Sequence, residues 1–145
     1  MADMTNQPIQ LGLFDQPTLN VIRPIKQVMN TDVRECGLSR EQIVDRMNDL
    51  AARFGVCLVN GNCKRLTIET FEKWLNPNEL NRSIPLKALP VFCAAVKRCS
   101  VIDVLAHPLG LRIVNDREQK LLSWAKAKMD IKEKNRIVRR IESEL

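Results

Sequence analysis

The spacing of its apolar residues constrains this chain to a helical fold. Between residues 20 and 106, apolar side chains recur every three to four positions in five successive segments, which is the period of one helix face. Capping or helix-ending residues such as Gly37, Gly55 and Pro77 separate the segments. Tyrosine is absent and aromatic residues make up only 4% of the chain, which disfavours a β-sandwich or barrel. We therefore predict an all-α fold.

The second segment has the clearest boundaries. Ser39 and Gln42 form a capping-box pattern, in which the serine hydroxyl accepts from the glutamine amide and the glutamine side chain reaches back. Gly55 follows the last apolar position and is suited to end the helix. By the same reasoning a fourth helix opens at Pro85, and Ser100 caps a short fifth helix.

The third segment, residues 66–78, divides its side chains sharply. One face carries four apolar residues at helical spacing: Ile68, Phe71, Trp74 and Leu75. The other face carries small polar or charged residues: Thr67, Glu69, Thr70 and Lys73. The Asn-Pro-Asn sequence at 76–78 then stops the helix, because proline cannot continue the hydrogen-bond ladder. This predicts a short helix that is anchored by aromatic residues and polar on its outer side.

An insertion separates the second and third helices. Asn60-Gly61 lies between β-favouring residues, a pattern typical of a tight hairpin turn. A very short hairpin and a structured loop both fit this stretch.

The order of the helices and the residues around the third resemble the lambda-repressor-like helix-turn-helix domain of phage repressors and Cro-type regulators. Residues 70–77 look like the end of that family's recognition helix, and residues 84–89 like the start of its fourth helix. The family joins its second and third helices by a short turn, whereas residues 55–66 intervene here. The resemblance implies a five-helix domain over residues 19–111, between an arm of residues 1–18 and a C-terminal helical extension of residues 112–145.

The resemblance also implies a function, that of a sequence-specific, DNA-binding transcriptional regulator of phage or prophage type acting on double-stranded DNA. Residues that would face base edges are Thr67, Glu69, Thr70 and Lys73. Residues that would contact phosphates are Lys64, Arg65 and Lys87. For each of them the alternative is an ordinary solvated side chain.

A second motif lies in the N-terminal arm. The sequence Gln10-Leu11-Gly12-Leu13-Phe14 resembles the pentapeptide by which bacterial replication and repair proteins bind the sliding clamp. Leu13 and Phe14 would enter an apolar pocket while Gln10 bonds at its rim. The alternative is that these apolar residues fold back onto the core. If the motif is used, the chain is a phage accessory protein that binds the clamp, or another host protein, and acts on replication or host machinery.

The modest excess of positive charge lies toward the C-terminal end, with ten basic and six acidic residues over 111–145. The C-terminal extension carries two apolar stripes, the first formed by Leu121, Leu122, Ala125 and Met129, and the second by Ile137, Val138, Ile141 and Leu145. Asp130 lies between them and suggests a separate last helix. Homodimerisation, contact with phosphates and packing onto its own domain all remain open for this region.

The remaining patterns argue against other classes of protein. The N-terminus does not look like a signal peptide, so the five cysteines are expected to be reduced thiols in the cytoplasm of a bacterium, or its nucleoid. Two Cys-x5-Cys spacings do not match structural zinc sites, and we predict neither metal nor cofactor. With His107 as the single histidine and no nucleophile–base pattern, we expect no enzymatic activity. No stretch is apolar for long enough to span a membrane.

Overall fold

The computed structural model describes residues 18–61 and 63–145, and this part of the chain is helical without a β-strand. The predicted clamp motif at Gln10–Phe14 lies outside the described residues. The helices are α1 (Ile22–Glu35), α2 (Arg40–Phe54), α3 (Ile68–Leu75), α4 (Leu89–Val96), α5 (Ser100–Ala106) and α6 (Asp116–Glu144). The all-α prediction is confirmed. These six helices are one more than the five of the predicted domain, because the C-terminal extension is itself a helix.

The predicted capping box of α2 is present. The Ser39 hydroxyl accepts from the Gln42 amide at 3.1 Å, and the Ser39 amide donates to the Gln42 side chain at 2.9 Å. Gly55 ends the helix in the left-handed conformation with φ +67°, which an L side chain rarely adopts. Both ends of α2 are thus set by local sequence.

Two helix starts differ from the prediction. A 3-10 turn, Leu86–Ala88, follows Pro85, and α4 begins only at Leu89. Ser100 does not cap α5, because Cys99 occupies the cap position without a side-chain bond. The Ser100 hydroxyl instead donates to Oδ1 of Asp32 in α1 at 3.2 Å. A tertiary hydrogen bond has therefore replaced the local cap.

The insertion between α2 and α3 is a loop, so the hairpin alternative is wrong for the residues that are described. A disulfide between Cys57 and Cys63 closes it, with the two Cα atoms 4.7 Å apart. The chain reverses at Gly61, where φ is +91°. The expectation of reduced thiols is wrong for this pair, because the reversal places residues six apart side by side. Cys36, Cys93 and Cys99 are free.

The disulfide is expected to contribute to stability by restricting the unfolded chain. The double substitution of Cys57 and Cys63 by serine should lower the free energy of unfolding by about 2 kcal/mol, the loop-closure entropy of so short a ring. Urea unfolding of the variant and the parent measures this difference. Replacing the free Cys36 by serine is the matched control. Equal stability of the double variant and the parent would contradict the prediction.

The chain divides into two compact units between Leu111 and Arg112. In the first unit α1 packs against α5, α2 packs against α4, and α3 contacts both α1 and α2. Its fully buried apolar side chains come from all of these helices and include Met29, Ile43, Met47, Phe71, Phe92 and Val101. The short third helix therefore sits against the two long N-terminal helices.

Asp32 is a buried carboxyl at the contact between α1 and α5. Its Oδ1 accepts from Ser100 and lies 4.0 Å from the Arg98 guanidinium, while its Oδ2 accepts no hydrogen bond from any residue that the structure describes. Burial raises the pKa of the Asp32 carboxyl above its ordinary value of 3.8, and Ser100 and Arg98 only partly oppose this shift.

This raised pKa gives a pH dependence with a definite sign. The folded chain holds the Asp32 proton more tightly than the unfolded chain, so the unfolding free energy contributed by this group falls as pH rises from 3.8 through the raised value. Asp32→Asn lacks the titrating group and should not show that decrease. The difference in unfolding free energy, variant minus parent, should therefore increase as pH rises through this range. Urea titrations at several pH values test it, with the exposed Asp45→Asn as control. If the unfolding free energies of Asp32→Asn and the parent changed equally with pH, Asp32 would not have a raised pKa in the folded chain.

The second unit contains α6, which begins at a capping box between Asn115 and Glu118. The helix runs without a break for 29 residues, so the prediction that Asp130 starts a separate helix is wrong. An aspartate inside a helix costs only about 0.5 kcal/mol, and no glycine or proline accompanies it. Because the helix is continuous, the two predicted apolar stripes lie on different sides of one rod.

Candidate nucleic-acid interface

The inner face of α3 is part of the core, as its apolar spacing predicts. Phe71, Trp74 and Leu75 are buried, and Ile68 is half-buried. The Phe71 ring meets the Trp74 ring edge-on, with centroids 6.4 Å apart, and lies 6.2 Å from the ring of Phe92 in α4. These aromatic side chains are therefore packing groups and are not available to stack on bases.

The start of α3 is held by Asn48 of α2. The buried Asn48 side chain donates to the Leu66 carbonyl at 3.0 Å and accepts from the Leu66 amide at 2.8 Å. This pair of bonds satisfies both backbone groups of a buried residue just before the helix. An eight-residue helix is too short to be stable alone, since isolated helices need about 12–15 residues. Tertiary contacts of this kind must therefore define its position.

The end of α3 is held by two side chains of α1. The Lys26 ammonium is almost completely buried and donates to the carbonyl oxygens of Lys73 at 3.0 Å, of Trp74 at 2.9 Å and of Arg82. Asn30 donates to the Leu75 carbonyl at 2.7 Å. The last carbonyls of a helix have no partner within it and form the negative end of its dipole, so an ammonium is a suitable cap.

The environment of Lys26 affects its titration. Burial lowers the pKa of the Lys26 ammonium from its ordinary value of 10.5, and the Glu79 carboxylate partly counteracts this shift. An ammonium is the form that can supply a separate N–H to each of the three carbonyls. Lys26 is therefore a charged residue that links α1 to the end of α3 through hydrogen bonds.

None of these three polar anchors is among the predicted site residues. A signal is nevertheless present in the sequence, because Lys26 follows Ile25 and Asn48 follows Met47, each inside the apolar stripe of its helix. A polar residue in such a position must either reach solvent or find a buried partner. The partner itself, a backbone carbonyl or amide 18 to 56 positions away, leaves no trace in the local pattern.

Each charged side chain on the outer face of α3 belongs to an ion pair. The ammonium of Lys73 lies 3.4 Å from the carboxylate of Glu69, one turn earlier in the helix. Glu72 lies 3.5 Å from the guanidinium of Arg40 at the start of α2. Exposed pairs of this kind contribute less than about 1 kcal/mol, so either member can exchange its partner easily.

The two threonines of the predicted base-reading set act locally. Thr67 is the N-cap of α3, and its hydroxyl accepts from the Thr70 amide at 3.2 Å. The two hydroxyls are also bonded to each other at 3.1 Å. Thr67 is exposed and Thr70 is half-buried, so a base contact by either would have to share these bonds.

The structure places all three predicted phosphate contacts at the loop between α2 and α3. Lys64 and Arg65 are exposed immediately before α3, and the Lys87 ammonium reaches the same loop, donating to the Val59 carbonyl at 3.4 Å. Two of these cations thus lie in the loop that precedes α3, and the third contacts the same loop from the 3-10 turn Leu86–Ala88. The helix itself carries two acidic residues and one basic residue, so positive charge at this surface comes from its surroundings.

Other site types find no support in the described part of the chain. No group of three or more histidine, cysteine or acidic side chains there is arranged to hold a metal ion. None of its helices combines the length and apolar character required to cross a bilayer. No family model, no curated protein and no solved structure matches this chain.

Proposed function

We propose that this chain is a sequence-specific DNA-binding protein, a transcriptional regulator of phage or prophage type that reads double-stranded DNA with α3. The observation that supports this most strongly is the two-ended anchoring of α3. Asn48 holds its start, and Lys26 and Asn30 hold its end. Among its charged side chains Glu69 and Glu72 are exposed and Lys73 is partly exposed. A short, rigidly supported helix with an exposed polar face suits insertion into a major groove.

The charges suggest a division of roles in the complex. Lys64, Arg65 and Lys87 would bind phosphates and set the orientation of the duplex. Lys73 would donate to the O6 and N7 acceptors of guanine, and Glu69 would accept from the amino group of cytosine. On binding, each would exchange its weak partner on the helix for a base edge.

The proposal is tested by selecting ligands from random duplexes and by footprinting the DNA that flanks the gene. We expect Lys73→Ala to weaken the selected complex by about 2 kcal/mol, or roughly thirtyfold, and to relax specificity at one base pair. Lys64→Ala should instead weaken binding to all duplexes and reduce the salt slope by about 1. Arg53→Ala removes an equal charge at an exposed residue in the last turn of α2, outside the predicted contacts, and should have little effect. Failure to protect any specific sequence at low and moderate salt would refute the proposal.

A second candidate function rests on the sequence Gln10–Phe14. We propose that this segment binds the bacterial sliding clamp, which would place the chain in the bacterial cytoplasm or nucleoid. Fluorescence anisotropy with purified clamp should show binding that the double substitution Leu13→Ala and Phe14→Ala abolishes while DNA affinity is unchanged. Leu19→Ala, an exposed leucine outside the motif, is the control. Absence of binding by the intact chain would eliminate this candidate.

A further inference from the structure

The C-terminal helix α6 carries an apolar seam with the spacing of a coiled coil. Between residues 124 and 145, seven positions alternate at intervals of three and four: Trp124, Ala127, Ile131, Lys134, Val138, Ile141 and Leu145. Six of these seven are apolar, whereas only three of the other fifteen residues in the stretch are. A strict alternation of this kind keeps one line of side chains facing a neighbouring helix over its whole length.

The seam is exposed. All residues of α6 are described and none of them is buried; Trp124 is 59% exposed, Ile131 55% and Ile141 53%. An isolated helix gains nothing from an apolar line of this length, because most helical stability in proteins comes from packing of one face. We infer that α6 pairs along this seam with α6 of a second copy of this chain, as a two-stranded coiled coil.

The distribution of charge around the seam is compatible with pairing to the same helix of a second copy of the chain. The positions that border it carry one basic and three acidic side chains: Lys128, Asp130, Glu142 and Glu144. The positions farthest from it carry five basic side chains and one acidic one: Lys126, Lys132, Glu133, Arg136, Arg139 and Arg140. Two copies that meet at the seam therefore keep their basic faces apart. A membrane-surface helix would instead have basic residues along the border of its apolar face.

The apolar area that the seam offers is comparable to the area that a stable dimer interface buries. The large apolar side chains of the seam offer on the order of 500 Å² per helix, given the areas that such residues bury. A stable interface buries about 800 Å² per partner, and the bordering residues, Ile137 among them, supply the remainder. Leu145, which is fully exposed, directly follows the last residue of α6 and adds one more apolar position to the seam.

Lys134 is the single charged residue of the seam. A lysine at such a position weakens a coiled coil and restricts it to few strands, because its ammonium must reach solvent past the partner helix. Its replacement by leucine should therefore strengthen association, an effect that a solvent-exposed lysine outside an interface would not produce. This inference does not depend on DNA binding.

The experiment is sedimentation equilibrium of the full chain across the micromolar range. We expect a dimer whose dissociation constant rises about a hundredfold or more when Ile131 and Val138 are both replaced by glutamate. Leu122→Glu with Met129→Glu, the same change at exposed apolar residues outside the seam, should leave the dimer intact. Lys134→Leu should tighten it about tenfold.

The association of the parent chain and the three variants distinguishes pairing along the seam from its alternatives. Loss of the dimer in the seam variant alone, with tighter association of Lys134→Leu, supports the pairing. A monomeric parent chain, equal losses in the seam and control variants, or no tightening by Lys134→Leu would overturn it. A trimer or tetramer would overturn the two-stranded arrangement.

Discussion

Replacing Lys26 by methionine is expected to lower the free energy of unfolding by about 4 kcal/mol. The methionine fills a similar volume but leaves the carbonyls of Lys73, Trp74 and Arg82 without the donor that satisfies them. Buried polar groups that lose their partner retain their full desolvation penalty. Relief from burying the ammonium offsets only part of this loss.

The measurement is urea unfolding followed by the fluorescence of Trp74, which is buried beside this site. Trp124→Phe provides a background in which Trp74 alone reports. Arg23→Met is the matched control, since it removes a cation from the exposed side of α1 and should change stability by less than about 0.5 kcal/mol. Comparable stability of Lys26→Met and Arg23→Met would show that the ammonium does not hold α3.

Replacing Asn48 by alanine is expected to lower the free energy of unfolding by about 3 kcal/mol. The substitution breaks both bonds to the Leu66 backbone and leaves a small cavity between α2 and the start of α3. Because Leu66 is itself buried, water cannot replace the lost partner without rearrangement. The start of α3 should therefore become the weakest point of the first unit.

Two measurements check this expectation. Urea unfolding gives the total loss, and native-state hydrogen exchange gives the local one, through faster exchange of the Leu66 amide than in the parent. Asp49→Ala changes the adjacent exposed residue of α2 and should leave both quantities almost unaltered. Unchanged protection of the Leu66 amide in Asn48→Ala would contradict the assigned role.

The features that local sequence determined are the helices themselves and several of their ends. The capping box at Ser39 and the glycine at Gly55 specify α2, because each satisfies backbone groups within a few residues. The apolar spacing of α3 placed Phe71 and Trp74 in the core, since burial follows the helical period. These are interactions between near neighbours, which a linear pattern records.

Tertiary structure alone decided how α3 is held and which side chains around it are engaged. Lys26 and Asn48 form hydrogen bonds to backbone atoms that are distant in the sequence. Ser100 does not cap its own helix and donates instead to Asp32 in α1. The disulfide between Cys57 and Cys63 likewise depended on a chain reversal at Gly61. The partners of these side chains are determined by how the helices pack. Every residue has a backbone carbonyl, so the sequence alone does not indicate which one a buried side chain will reach.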